Sequence, residues 1–357
     1  MLVFQFAGSP EFSTIQTQST LSSGDLFLWV ILGIVIIGIG FALLSLVRAA
    51  THIKSRAEKA FNRVVLQILV PKERKSDGQG GQVGQDDRLE HIKEEIGITE
   101  TFFAAVAGLK AQRGIKQWLF GRDDHFSFEM VSHNNLIYFY IDIPKKLQEF
   151  IEQQIHAQYP YAEIDVMTDY NIFTESSTVL GAYLVPSQKG FFPYKSYKKM
   201  ESDPLGGILN ALARAESDNS ALAVQYVVRS SHKKWRRKGI NVVREVKKGK
   251  KFEKIANQST TLKVLEGVGN VAGDILKSAT DSKNDPIKNR DKDDYKLSGM
   301  EEDMLKGIEE KLSKGGMDVT IRLLSSAETE ATAQLNLDNL VSAFSQYNFY
   351  RYGNSFK

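Results

Sequence analysis

Apolar positions along the chain form one long unbroken run followed by many short periodic ones. Leu26 to Val47 is 22 residues without an ionisable side chain. As a helix it would extend about 33 Å, against about 30 Å for a bilayer core. A run this long without a polar face predicts a transmembrane helix rather than a buried core helix. It also exceeds the apolar core of a cleavable signal peptide, about 7–15 residues. Trp29 stands near one end, where interfacial aromatics gather. Residues 1–25 hold no Lys or Arg, only Glu11 and Asp25, whereas Arg48, Lys54, Arg56, Lys59 and Arg63 crowd the far flank against Glu58. The positive-inside rule then predicts one pass at residues 26–47, with the tail 1–25 outside and the body in the cytoplasm. Those five cations mark residues 48–63 as a basic juxtamembrane segment facing lipid headgroups.

Beyond this flank the periodicity changes. Val64–Val70 is a β-branched run closed by Pro71, and a Gly- and Gln-rich stretch to Gln85 reads as a loop. Apolar residues from Arg88 to about Lys110 fall mostly at helical spacing, with Gly97 as a candidate interruption. Phe126, Phe128 and Met130 alternate with polar residues, and Asn134-Asn135 separate them from Leu136–Ile143, which predicts a hairpin. Pro144 is placed to open a helix bearing Leu147, Phe150, Ile151 and Ile155, and Ala162–Thr168 reads as a further strand.

Strand, helix, strand, strand, helix, strand is the split βαβ order of a ferredoxin-like plait, here over residues 64–173. The order begins again over residues 174–357. Val179–Val185 is a strand, Asp203-Pro204 starts a helix carrying Leu205 to Leu212, and Ala221–Arg229 is the next strand. Val319, Ile321 and Leu323 alternate before a helix with Ala333, Leu337, Leu340, Val341 and Phe344 inward. Both units start with a strand ending in Leu-Val-Pro, at Leu69–Pro71 and Leu184–Pro186. A last strand could begin at Phe349–Tyr352, which leaves the second unit incomplete. The expected fold is therefore α+β: a transmembrane helix and two tandem βαββαβ plaits. The second carries a charged helical insertion at 231–316, with a flexible middle at Ser278–Lys296 and renewed helical spacing from Met300 to Lys314.

Composition narrows the chemistry. The net charge of +3 announces no global polyanion binder, and the absence of cysteine removes disulfides, thiolate metal sites and cysteine nucleophiles. No GxxxxGK[ST] loop and no GxSxG elbow occur, and the six histidines are scattered singly. Gly78, Gly80, Gly81 and Gly84 lead into Asp86 and Asp87, which suits a linker and not a phosphate cradle. Gly267, Gly269 and Gly273 lack dinucleotide spacing and sit in a stretch with the period of an amphipathic helix. The expectation is a non-enzyme without cofactor or metal.

Charge is locally dense in one place. Lys233, Lys234, Arg236, Arg237, Lys238, Arg244, Lys247, Lys248, Lys250, Lys251 and Lys254 face only Glu245 and Glu253. Such a cluster can neutralise nucleic-acid phosphates or lie on anionic lipid, or it can be a solvated flexible face. Trp235 within it could stack on a base or sit at a membrane interface. Tyr138, Phe139 and Tyr140 would stack bases on an RNA-recognition sheet, although core packing suits them better and the accompanying motif is absent.

The chain also resembles the region that precedes the motor in conjugative coupling ATPases, type IV secretion proteins of the HerA and FtsK superfamily. The resemblance is carried by the N-terminal helix, the Leu-Val-Pro-Lys strand end and Glu100-Thr101-Phe102-Phe103. It continues through Phe126-Ser127-Phe128-Glu129, Ile137–Ile141, Glu152–Ile164, Asp203–Leu212 and Val319–Leu323. It implies a homo-oligomeric assembly module in the bacterial cytoplasmic membrane that positions a P-loop ATPase, in cis or in trans, and handles DNA or protein for transfer. The motor itself is absent from these residues. The competing expectation is a membrane-anchored nucleic-acid-binding protein with an RNA-recognition-like plait.

Overall fold

The computed structural model describes residues 23–60, 62–71, 85–168, 170–214, 220–250, 297–349 and 353–357. Most of the 1–25 tail, most of the Gly- and Gln-rich stretch, the stretch around 267–273 expected to be helical and the 278–296 segment lie outside the described residues, as do Lys251 and Lys254.

The first element, α1 (Ser23–Ala60), is one helix of 38 residues. Within it, Phe27–Ser55 is long and apolar enough to cross a membrane, and its most apolar window is not buried in the protein at all. The Ser45 hydroxyl, a polar group inside the apolar run, donates to the Phe41 carbonyl at 2.8 Å and so needs no water. Residues 48–60 of the segment read as juxtamembrane are thus a continuation of the same helix. Only residues 61–62 separate it from β1 (Arg63–Leu69).

Then follow α2 (Gln85–Gly108), α3 (Ile115–Phe120), β2 (His125–His133), β3 (Leu136–Pro144), α4 (Gln148–Gln158) and β4 (Glu163–Met167). The second half contributes β5 (Thr178–Leu184), α5 (Gly206–Ala213), β6 (Ala221–Ser230), α6 (Lys234–Lys247), α7 (Gly299–Ser313), β7 (Met317–Ala327) and α8 (Glu330–Ala343). All seven strands join one antiparallel sheet in the order β4-β1-β3-β2-β6-β7-β5. The halves are therefore one body. They meet where β2 pairs with β6, from His125 opposite Arg229 to Ser132 opposite Leu222. Each would otherwise expose a long apolar edge, and pairing removes both edges.

Alternation along the strands sends one set of side chains to a helix-covered face. There Leu66, Phe126, Ile141 and Ile143 meet Phe102 and Val106 of α2 and Ile151 and Ile155 of α4. In the other half Leu222, Val224 and Leu323 meet Ile208 and Leu212 of α5 and Leu337 and Leu340 of α8. Burying each such side chain contributes about 1.5–3 kcal/mol. The opposite face carries Val131, Tyr140, Ala221 and Ala223 beneath Ile172 and Tyr170.

Local details both follow and depart from the pattern. Asn134 and Asn135 take φ of 51° and 59°, the pair of left-handed residues a two-residue hairpin turn requires. Leu69 ends β1 and Leu184 ends β5, so each Leu-Val-Pro does follow a strand. Gly97 does not interrupt α2. Pro144 closes β3 opposite Arg63, with φ −60° and ψ 130°, and caps the 3-10 turn Lys145–Leu147 that leads into α4 at Gln148, standing one place before the first helical position. Asp203 caps a turn, accepting from the Leu205 amide at 2.9 Å, one step before α5. The last residues run antiparallel to the end of β5: the Val185 amide donates to the Lys357 carbonyl at 2.8 Å and the Lys357 amide to the Val185 carbonyl at 3.0 Å.

Candidate functional site

The chain between α2 and β2 makes an excursion whose base is pinned and whose tip is α3. At the base Arg122 donates to both Asp124 carboxylate oxygens, each at 2.8 Å, and to the Ser230 carbonyl at 2.6 Å, linking the start of β2 to the end of β6. The Gln112 amide donates to Asp124 at 3.1 Å. Burial alone would raise the Asp124 pKa, but the Arg122 and Gln112 hydrogen bonds outweigh it and hold the carboxyl below its ordinary range.

At the tip a six-residue helix leaves its final carbonyls without intrahelical partners. Side chains of α1 supply them. Arg48 Nε donates to the Trp118 carbonyl at 3.1 Å, Thr51 Oγ1 to that of Leu119 at 2.9 Å, and Ser55 Oγ to that of Phe120 at 2.9 Å. His52 Nε2 lies 3.2 Å from the Trp118 carbonyl. Positions 48, 51, 52 and 55 share one face of a helix. The Arg48 guanidinium also lies over the Trp118 ring, 4.7 Å from its centroid. Glycines bracket α3: Gly114 has φ 117° and Gly121 φ 74°, and a Cβ on Gly121 would lie 3.0 Å from His52 Cε1. The apolar helix is therefore clamped to the body by one face, immediately beyond its uncharged run.

Among the expected lipid contacts, Arg48 is part of this clamp and Lys54 is exposed. Arg63 is instead committed to the protein: its Nε pairs with Asp142 at 2.8 Å and the side chain is 14% exposed. The side chains of Arg56 and Lys59 lie outside the described residues.

The basic cluster is a helix where a flexible face was one expectation. Val242 and Val246 of α6 pack on Met304, Leu305, Ile308 and Leu312 of α7, beside Phe191 and Phe192. The α7 start is fixed by Ser298 and Glu301, which cap each other's backbone amides. Gly239 lets the two helices approach: a Cβ there would lie 2.7 Å from Leu312 Cδ2. Arg236 donates to the Lys314 carbonyl, Lys247 pairs with Glu309 at 2.5 Å, Lys248 with Glu245 at 3.5 Å, and Lys250 also with Glu245. Lys233, Lys234, Arg237, Lys238 and Arg244 are exposed and form no ion pair among the described residues. They make a cationic stripe on the outer side of α6. Trp235 is turned inward, against Gly316 and the α6–α7 core, so it is not offered to a base or a bilayer.

The stripe begins near the clamp. Arg113, just ahead of α3, donates to His232 Nδ1 at 3.2 Å. His125, at the same end of the sheet, is pushed down to about 4 by burial and by the nearby Arg63 charge, and is neutral near pH 7. Farther along, Lys314 pairs with Glu100 of α2; that hydrogen bond lowers the Glu100 pKa and raises that of Lys314.

Of the aromatic strand residues, Tyr138 and Tyr140 are engaged within the protein, whereas Phe139 is exposed. Tyr138 and Tyr140 stack at 6.0 Å, Tyr140 and Tyr170 at 4.4 Å, and the Tyr170 hydroxyl donates to the buried Glu129 carboxylate, which also accepts from Ser127 Oγ at 2.5 Å. Among the described residues no group of three or more His, Asp or Glu side chains could hold a metal ion.

The sequence pattern does not disclose α3, because six residues are too few for a periodicity. Its bracketing glycines and the apolar Ile115-Lys116-Gln117-Trp118-Leu119-Phe120 were the available signal. Fold and clamp together define a class: an α+β protein whose N-terminal apolar helix is fixed to a seven-stranded antiparallel sheet. Within that class, the chain belongs to the family described as Domain of unknown function (DUF8128), whose model matches residues 97–356. No curated protein and no solved structure matches it.

Proposed function

We propose that this chain is a single-pass, membrane-tethered assembly module without catalysis of its own. In this reading it holds a P-loop ATPase and its substrate at a fixed place on the bacterial cytoplasmic membrane, within a secretion- or conjugation-like transfer machine. Its N-terminus lies outside and its body in the cytoplasm, as the flanking charges favour. The carrying observation is the clamp. A removable signal peptide has no use for a face of hydrogen bonds to the mature body, and a flexible tether would not enter the first strand after two residues. Arg48, Thr51, His52 and Ser55 instead make anchor and sheet one lever.

Each half is, in this proposal, a ferredoxin-like unit. The orders β4-β1-β3-β2 and β6-β7-β5, with residues 355–357 beside β5, support it. The resemblance to the region preceding coupling ATPase motors supplies the kind of machine. Purification of the tagged chain from its native membrane in mild detergent, after brief crosslinking, tests this. A homo-oligomer carrying a P-loop ATPase, joined covalently or not, is the expected result. A monomer that recovers no ATPase would overturn it.

A second reading, a membrane-anchored nucleic-acid binder, is favoured by the stripe on α6. It does not use the Tyr140 ring, which is stacked between Tyr138 and Tyr170. If it holds, DNA affinity falls with salt, and replacing Lys234, Arg237, Lys238 and Arg244 by Gln reduces the logarithmic salt slope by about one for each phosphate left unneutralised. A slope unchanged by the substitutions would remove this reading.

A further inference from the structure

We infer that α3 is a second membrane element: a short helix lying in the headgroup layer, with Ile115 and Trp118, which share one face of it, inserted toward the acyl chains. The inference rests on the tethered reading of α1 and adds to it a lipid-contact site on the body.

Three observations carry it. The first is exposure. Ile115 is 78%, Trp118 42% and Phe120 43% exposed on a six-residue helix in which no residue is buried. Soluble proteins seldom build an ordered, glycine-bracketed excursion only to offer its large apolar groups to water.

The second is depth. The α1 residues that bind the α3 carbonyls, Arg48 to Ser55, lie one to eight residues beyond Val47. That is about 2–12 Å along a helix axis. The headgroup zone on each side of the hydrocarbon is about 5–8 Å thick. The Trp118 end of α3, bound by Arg48 and His52, thus falls inside that zone, and the Phe120 end, bound by Ser55, lies beyond it on the water side.

The third is chemistry. Trp118 has the amphipathic ring favoured at such a boundary, with the Arg48 guanidinium over it. Lys116 on the same turn and Arg113 just before it are both exposed, placing cations at the level of lipid phosphates. Charge and apolar exposure together fit an anionic bilayer surface better than a protein groove.

The chain has three tryptophans, which gives a direct test in nanodiscs of mixed anionic and zwitterionic lipid. Three variants of the full chain each keep one tryptophan, the others being replaced by Phe, and far-UV circular dichroism checks the fold. Trp118 fluorescence should be quenched at least twofold more by lipids brominated near the headgroup than by lipids brominated at the chain ends, and be shielded from iodide. Trp29 reports the anchor, and Trp235, packed against α7, should respond to neither lipid. Quenching of Trp118 by iodide alone, or by nothing, with Trp29 lipid-quenched, overturns the inference while leaving the anchor intact. If Trp29 also ignores the lipid, the tether fails and the inference with it. Where a Phe replacement disturbs folding, fluorotryptophan in the unaltered chain with a paramagnetic headgroup lipid reads the same three positions by NMR.

Discussion

Arg48 combines three tasks in one side chain: it ends the uncharged run, caps α3 and covers the Trp118 ring. Replacing it by Ala removes a charged hydrogen bond and a cation–π contact, together worth on the order of 1–3 kcal/mol. Thr51→Ala and Ser55→Ala each remove one neutral bond, about 0.5–1.5 kcal/mol. The expected order of loss in micelles, followed by proteolysis in the 110–124 excursion, is Arg48→Ala above either of the others. Equal, negligible effects would mean the carbonyls find other donors.

His125 makes a second residue-scale prediction. Its folded pKa, about 4, lies below the unfolded value of 6.5 because burial and Arg63 disfavour the imidazolium. Below pH 6.5 the unfolded chain takes up a proton that the folded chain refuses until about pH 4. Stability from this group is thus full above pH 6.5 and is lost as the pH falls from 6.5 toward 4. His232, lowered by burial and by Arg122 and Arg113, acts in the same direction. Chemical denaturation between pH 7 and 4.5 should therefore show a downward step. His125→Gln should flatten most of it, whereas an unchanged profile would place the acid sensitivity elsewhere.

At the scale of elements, most strands and long helices were legible because their core faces repeat every second or every third to fourth residue. Phe126, Phe128 and Met130, or Leu337, Leu340 and Phe344, could hardly be read otherwise. Three features were not legible, each for a physical reason. α3 is too short to show a period, and its partners lie 65 or more residues away in sequence. Pro144 suits a strand end as well as a helix start, and only the ladder to Arg63 decides. The basic stretch looked like a solvated run, since its apolar content, Val242 and Val246, becomes a face only when α7 supplies the other side.

The α6–α7 pair should be sensitive to its closest approach. Gly239→Ala raises intrinsic helix propensity by about 1 kcal/mol. It also drives a methyl group toward Leu312 and Phe191, a cost of about 1–3 kcal/mol. The net result expected is faster hydrogen exchange in α6 and α7 with the sheet unaffected. Slower exchange would show that the helices part without penalty.

For the whole molecule, most of the succession of strands and helices was readable, but the join of all seven strands into one sheet was not. Nothing local in Phe126–Ser132 announces that Leu222–Val228 will lie beside it, and pairing of two edges is decided by what each would expose unpaired. This join makes the body one sheet, and the clamp makes that sheet continuous with α1. On the proposed reading as an assembly module, a partner docked on the sheet would then have a defined height and angle above the lipid.

Rigidity can be measured as a distance distribution. The chain has no cysteine, so spin labels at Leu43→Cys, in the apolar run, and Tyr161→Cys, exposed on the body, report only that pair. In nanodiscs, double electron–electron resonance should give one narrow distribution that broadens when Arg48, Thr51 and Ser55 are replaced together by Ala. A broad distribution in the parent chain, unchanged by the triple replacement, would mean the opposite: the body would hang from its anchor and not be set by it.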